Sequence, residues 1–209
     1  MRPSTKDQQM RLRLAQEAAR IIEVEGIRDF HSAKRKAAAH LNATDTRNMP
    51  SNTEIEQALI EYQRLFKGAT QPDRLRHLRK TALEALRFFT RFHPRLVGSV
   101  LSGTATANSD VNLHLFADVP EDVALFLMQE GIPHDTGERR LRLGGGASAN
   151  FPVYRFLAGD TRLDLTVFPV DGERQAPLSP VDGKPMRRAG VVMVEELLKN
   201  TMQQNFPQC

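Results

Sequence analysis

Cysteine, tryptophan and long apolar runs are what this sequence of 209 residues has least of. Its one cysteine is Cys209, so no disulfide can form within the chain and no cysteine cluster can bind a metal. A membrane-spanning helix needs about 20 predominantly apolar residues, and no stretch of the sequence offers that. The first residues, MRPSTKDQQM, lack the apolar core of a secretion signal. We therefore expect a cytoplasmic protein that contacts no membrane.

The net charge of +4 conceals an uneven distribution of charge along the chain. Residues 1–95 contain 19 Lys and Arg against 11 Asp and Glu, whereas residues 96–209 contain 10 against 14. A basic front half is suited to a polyanion such as RNA or to the phosphates of a nucleotide. Solvated helix faces explain the same excess, and both interpretations stay open.

The first ninety-five residues show apolar positions at helical spacing and predict four helices. The third begins at a capping box, Ser51 to Glu54, in which a hydroxyl and a carboxylate satisfy free backbone amides. The second carries the basic run Lys34, Arg35 and Lys36, a candidate RNA contact. The fourth ends near Phe89 and leads through Pro94 directly into the next segment.

The rear half changes to the alternation typical of strands. Strands are predicted at residues 111–116, 139–143, 151–158 and 162–168, and Gly159 with Asp160 indicates a hairpin. A helix is expected after Asp118 and another at residues 191–202. The fold class is therefore α+β, with helices before a mixed sheet flanked by helices. We predict three parts: a helical region at 1–70, a core at 71–170, and a loop-rich extension at 171–209 that ends in a helix.

The stretch from residue 96 to residue 118 carries the chemistry-bearing residues. Gly98 allows the backbone to approach a ligand closely, and Ser99 adds a hydroxyl and an amide. About ten residues later Asp110 stands at the start of a strand, where it can bind a hard cation. Asn112 shares its face, because side chains two apart in a strand point the same way.

This pattern resembles the signature of the nucleotidyltransferase superfamily (DNA polymerase beta-like) over roughly residues 80–170. In that family Gly-Ser is followed by two carboxylates on one strand and a third on a later strand, which here is Asp164. The resemblance implies Asp110 and Asp164 as catalytic residues, and Asp110, Asn112 and Asp164 as ligands of Mg²⁺ or Mn²⁺. It implies nucleotide binding by Gly98 and Ser99, to which Arg162 adds a phosphate contact. Asn112 stands where the family has its second carboxylate.

Two functions follow from the resemblance, and Asn112 separates them. In the first, the chain is an ATP-binding, Mg²⁺-dependent transferase that moves a nucleoside monophosphate from a nucleoside triphosphate to an acceptor such as a protein, RNA or small molecule. Two Mg²⁺ ions about 4 Å apart would then support in-line displacement at the α-phosphate. In the second, the fold persists without catalysis, as a nucleotide-binding or partner-binding module. A weaker third hypothesis makes the basic helices an RNA-binding arm.

Overall fold

A computed structural model describes residues 5–43 and 48–204, with side chains described up to residue 200. The predictions made for the first four residues and for Cys209 lie outside this part of the chain, as does part of the polar connection before Pro50. Seven α-helices are present in it: α1 (Thr5–Glu25), α2 (Phe30–His40), α3 (Asn52–Phe66), α4 (Gln71–Phe88), α5 (Ser99–Ser102), α6 (Glu121–Gln129) and α7 (Val191–Gln204).

Five strands form a single mixed sheet: β1 (Arg95–Val97), β2 (Val111–Phe116), β3 (Asp135–Arg142), β4 (Ser148–Ala158) and β5 (Thr161–Phe168). The predicted α+β class, with helices before the sheet, is confirmed. Within the described residues, no helix combines the length and the apolar character that a membrane crossing requires.

Backbone contacts divide the chain into two compact units. The helical unit consists of the described part of Met1–Gln71 together with Thr104–Ser109 and Pro180–Asp182. The sheet unit consists of Pro72–Gly103, Asp110–Ser179 and the described part of Gly183–Cys209. Most of the predicted extension at 171–209 therefore belongs to the sheet unit, and each unit is assembled from segments far apart in sequence.

The helical unit has a core of small and aliphatic side chains supplied by its three helices. Alanines allow α1 and α2 to approach closely, and Ser51 caps α3 with the predicted reciprocal bonds to Glu54. The core residues are Leu14, Ala15, Ala18, Ile21, Ala33, Ala37, Ala38 and Ile55.

The segment 104–109, which lies between Ser99 and Asp110 in sequence, is part of the helical unit. The Gln71 side-chain amide donates to the carbonyl of Ala105 at 2.7 Å. Gly26 has a φ of +70°, and a Cβ at this position would overlap the side-chain amide of Asn108. Glycine is therefore required at position 26 both by its backbone conformation and by the close approach of this segment.

The sheet has the strand order β1-β2-β5-β4-β3. Strands β2 and β5 are parallel, and the other neighbouring pairs are antiparallel. The turn at Gly159 and Asp160 joins β4 to β5 as the predicted hairpin, with Ala158 opposite Thr161. Strand β3 begins at Asp135, four residues before the predicted start, because it pairs with β4 along its whole length.

The two faces of the sheet differ in character. One face carries aliphatic residues of β2 and β5, such as Leu113 and Leu165, which are fully buried. The ring of Phe156 in β4 lies on this face, 6.1 Å from the ring of Phe89 at the end of α4. Phe89 in turn lies 5.8 Å from Phe126 of α6, so α4 and α6 cover this face. The opposite face carries the polar residues described next.

Candidate functional site

The turn between β1 and α5 contains Gly98 and Ser99. Gly98 has a φ of +75° and a ψ of −155°, which a residue with a side chain adopts only with strain. Behind the turn, the Nε of Arg79 on α4 donates to the carbonyl of Val100 at 3.2 Å. Arg79 is buried, and burial lowers the pKa of its guanidinium. This arginine of the basic helix α4 therefore supports the turn from within the protein.

Asn112 lies beside this turn and beside Asp164. A Cβ at Gly98 would stand 3.6 Å from the Nδ2 of Asn112. Asn112 pairs with Val97 of β1 on one side and with Asp164 of β5 on the other. Its Nδ2 donates to the backbone carbonyl of Asp110 at 3.1 Å. The strand pairing thus brings Gly98, Asn112 and Asp164 together on one face of the sheet, with Asp110 preceding β2 at its edge.

The carboxylate of Asp164 is held by two arginines. Arg139 of β3 donates from Nη1 to Oδ1 and from Nη2 to Oδ2, both at 2.8 Å. Arg155 of β4 donates from Nε to Oδ2 at 2.9 Å. The Asp164 side chain is 3% exposed, whereas each arginine side chain is 32% exposed. A buried carboxylate therefore lies beneath two guanidinium groups that are open to solvent in part.

These donors fit an anion better than a pair of Mg²⁺ ions. Position 112 offers a neutral amide oxygen, and Asp164 already accepts three hydrogen bonds from guanidinium groups. A metal at Asp164 would have to displace both arginines and would then lie beside two cations. Among the described residues, no group of three or more His, Cys, Asp and Glu side chains is arranged to hold a metal ion. The described residues around Asp164 therefore do not fit a site for two Mg²⁺ ions.

His114, two residues after Asn112 on the same face, is buried with 3% of its surface exposed. The Nε of Arg188 donates to its Nδ1 at 3.1 Å, and the ring lies 4.5 Å from Phe168. Burial, followed by the charges of Arg188 and Arg139, lowers the pKa of His114 to about 3. His114 is therefore a neutral acceptor at physiological pH. Arg188 also ties the segment at Gly172 to the sheet through a bond to its carbonyl.

The remaining predicted contacts are Arg162 and the basic run on α2. Arg162 is exposed and lies on the face of Asp164, opposite Leu157 in β4. In the helical unit, Lys36 forms an ion pair with Glu25, and burial lowers the pKa of Lys34. The charge of Lys36 is therefore balanced within its own unit, which weakens the basic run on α2 as an RNA contact.

Arg139 and Arg155 are the site residues that the sequence analysis did not single out. The two-residue turn at Gly159 and Asp160 sets a register in which Arg155 stands opposite Asp164. That signal was available in the sequence. Arg139 had no such signal, because the glycine-rich turn before β4 fixes no unique pairing between β3 and β4.

Comparisons with known proteins gave no relative from which a function could be carried over. No family model matches the chain, and neither the curated proteins nor the solved structures include a match.

Proposed function

We propose that the sheet unit is a nucleotidyltransferase-like module whose function is to bind a nucleoside triphosphate rather than to transfer a nucleotidyl group. The phosphates would lie over the polar face of the sheet, near Gly98, Ser99 and the arginines around Asp164. Arg162, which is exposed near the start of β5, would add a further phosphate contact. A cytoplasmic setting, where nucleoside triphosphates are abundant, is part of the proposal.

The observation that carries this proposal is the environment of Asp164. In the family that the sequence resembles, a carboxylate at this position binds metal. Here it balances Arg139 and Arg155, and its neighbour Asn112 has no charge. Two of the three positions that would hold metal are thus unsuited to that task. The glycine turn and the surrounding positive charge, which suit phosphate, remain.

Nucleotidyl transfer is the second candidate, and the strand register favours it. Asn112 and Asp164 are direct partners in β2 and β5, with Asp110 immediately before β2. This is the layout that the resemblance implies for ligands of Mg²⁺ or Mn²⁺, and an amide oxygen can still coordinate such an ion. The acceptor would be a protein, an RNA or a small molecule.

One experiment separates the two candidates. The purified chain is titrated calorimetrically with each of the four nucleoside triphosphates, in Mg²⁺, in Mn²⁺ and in EDTA, and pyrophosphate release is followed in parallel. We expect at least one triphosphate to bind without pyrophosphate release above the buffer rate. Release of pyrophosphate that is lost in Asp110→Ala but kept in Asp122→Ala, an exposed carboxylate on α6, would establish transfer instead. Failure of every triphosphate to bind in all three conditions would refute both candidates.

A further inference from the structure

We propose that Arg139 and Arg155 form a guanidinium pair that binds the phosphate chain of the nucleotide without a metal ion, with Asp164 as the residue that positions the pair. This inference rests on the proposed function and specifies how its ligand is held. The ligand class is a di- or triphosphate, whose charge the arginines neutralise. Asp164 acts through the arginines and does not touch the ligand.

The pair retains hydrogen-bond donors beyond those that bind Asp164. Arg155 uses only its Nε for Asp164, which leaves both terminal nitrogens of its guanidinium for a ligand. Arg139 bonds both carboxylate oxygens and also Thr166 Oγ1, at 3.0 Å. Since Arg139 Nη2 and Arg155 Nε share one oxygen of Asp164, the two planar groups are held side by side. Such groups bind phosphate through paired, charge-assisted hydrogen bonds.

Space beside Arg155 is kept open by Gly137 of β3. A Cβ at Gly137 would stand 3.2 Å from Arg155 Nη1. Non-bonded heavy atoms normally approach no closer than about 3.5 Å. Gly137 does not have a positive φ, so its backbone conformation does not require glycine. Alanine at this position would therefore press on the end of the Arg155 side chain, which would have to shift by a few tenths of an ångström.

The charges around Asp164 also favour an anion. Two guanidiniums against one carboxylate leave one positive charge in excess. Asp135, the strand partner of Arg155 in β3, is exposed, so water screens its charge. Half-buried guanidinium groups that are balanced only in part gain free energy from an incoming phosphate. A bound phosphate would neutralise the positive charge that Asp164 leaves unbalanced.

The distance from the pair to the Gly98 turn suits a phosphate chain. Both guanidiniums converge on Asp164 of β5, which is separated from β1 by β2 alone. Two strand spacings amount to roughly 10 Å, which is comparable to the length of a triphosphate. One end of the chain can therefore lie at the arginine pair while the other approaches Gly98 and Ser99.

The test is the metal dependence of binding together with matched arginine variants. ATP, tripolyphosphate and adenosine are titrated calorimetrically against the full chain, in EDTA and in Mg²⁺. We expect ATP and tripolyphosphate to bind in EDTA within about threefold of their affinity in Mg²⁺, and adenosine to bind much more weakly. Arg155→Gln should weaken ATP at least about tenfold, the effect of losing a hydrogen bond to a charged group. Arg140→Gln removes the same charge from the other face of β3 and should leave affinity unchanged.

Two further variants keep the test decisive if Arg155→Gln folds poorly. Arg155→Lys retains the charge but lacks the planar fork, and Gly137→Ala crowds the guanidinium; both should weaken ATP several-fold. Binding of ATP that strictly requires Mg²⁺, or unchanged affinity in these Arg155 and Gly137 variants, would overturn the metal-free pair while leaving nucleotide binding intact. If neither ATP nor any other triphosphate binds, the proposed function fails with it.

Discussion

The helical unit and the sheet unit each bury a carboxylate, and they balance it in different ways. Glu23 of α1, 5% exposed, accepts a hydrogen bond at 2.8 Å from the side-chain amide of Gln63. Asp164 of β5, 2% exposed, accepts from two guanidinium groups. The amide of Gln63 brings no charge to its partner, whereas the arginines bring more charge than Asp164 carries. The arrangement around Asp164 therefore leaves a positive charge that a ligand can neutralise.

The two carboxylates also differ in their roles. Gln63 directs the same Nε2 toward the carbonyls of Thr104 and Ala105, at 3.4 Å each, so its amide links α1, α3 and the segment 104–109. This is a structural role, since every group involved is buried. The arginines around Asp164 keep about a third of their side-chain surface in solvent. The helical unit uses its buried amide and carboxylate for packing, whereas the sheet unit covers its buried carboxylate with arginines that are partly exposed to solvent.

The largest expected effect is the loss of the Asp164 charge. Asp164→Asn leaves two guanidiniums around a neutral amide, which can accept at one oxygen only. We expect the free energy of unfolding to fall by about 2–4 kcal/mol, somewhat less than for a fully buried pair because the arginines are partly solvated. Urea denaturation measures this change. Asp160→Asn, in the exposed turn before β5, is the control, and a loss below about 0.5 kcal/mol for Asp164→Asn would contradict the central role of this carboxylate.

The second-largest effect is expected on acidification. The sheet unit should lose stability at a higher pH than the helical unit. Native His114 stays neutral until its pKa of about 3, whereas in the unfolded chain it takes up a proton below about 6.5. The stability that neutral His114 provides is therefore complete above pH 6.5 and is lost as the pH falls from 6.5 towards 3. Where only the unfolded chain is protonated, the loss approaches about 1.4 kcal/mol per pH unit.

In the helical unit the carboxylates with lowered pKa values take up protons only at lower pH. Hydrogen bonds from Arg20 and Arg11 lower the pKa of Glu17 and of Glu54 to about 2, so their contribution is lost only as the pH falls from about 4.5 towards 2. Hydrogen exchange, corrected for its intrinsic pH dependence, should show β2 and β5 losing protection between pH 6 and 4.5 while α1 and α3 keep theirs. His114→Asn, which retains an acceptor, should flatten the response between pH 6 and 4.5, and the exposed control His31→Gln should not. A response that persists in His114→Asn would rule out this histidine as its source.

The smallest effect on stability is expected when the side-chain amide of Gln63 in the helical unit is removed. Gln63→Leu keeps a similar volume but leaves Glu23 without this donor, and we expect a loss of about 1–2 kcal/mol in unfolding free energy. Gln57→Leu, exposed on the same helix, is the control and should change stability little. Because the role of Gln63 is structural, the affinity for ATP should change less than in Arg155→Gln. A stability loss equal to that of Asp164→Asn would remove the difference between the two units.

Much of the local structure could be predicted because neighbouring residues determine it. The capping box at Ser51 and the strand at residues 111–116 follow from hydrogen-bonding side chains and from alternation over a few positions. The hairpin at Gly159 follows from backbone freedom within two residues. Nucleotide binding and the roles of Gly98, Ser99, Asp110 and Arg162 stay predictions, because they rest on a resemblance that no relative supports.

The sequence by itself determined the α+β class, six of the seven helices and four of the five strands in the described residues, and the positions of the glycine turn, Asn112 and Asp164. Only the tertiary structure decided that Arg139 joins Arg155 at Asp164. Arg139 lies 25 residues before it in the chain, and its approach depends on β3 pairing with β4 along a register that a glycine-rich turn leaves open. Arg188 and His114 meet across 74 residues, because Ala189, next to Arg188, pairs with Leu96 of β1. Alternation assigns a side chain to a face, but the pairing of distant strands selects its neighbours, and here those neighbours make Asp164 the partner of two arginines.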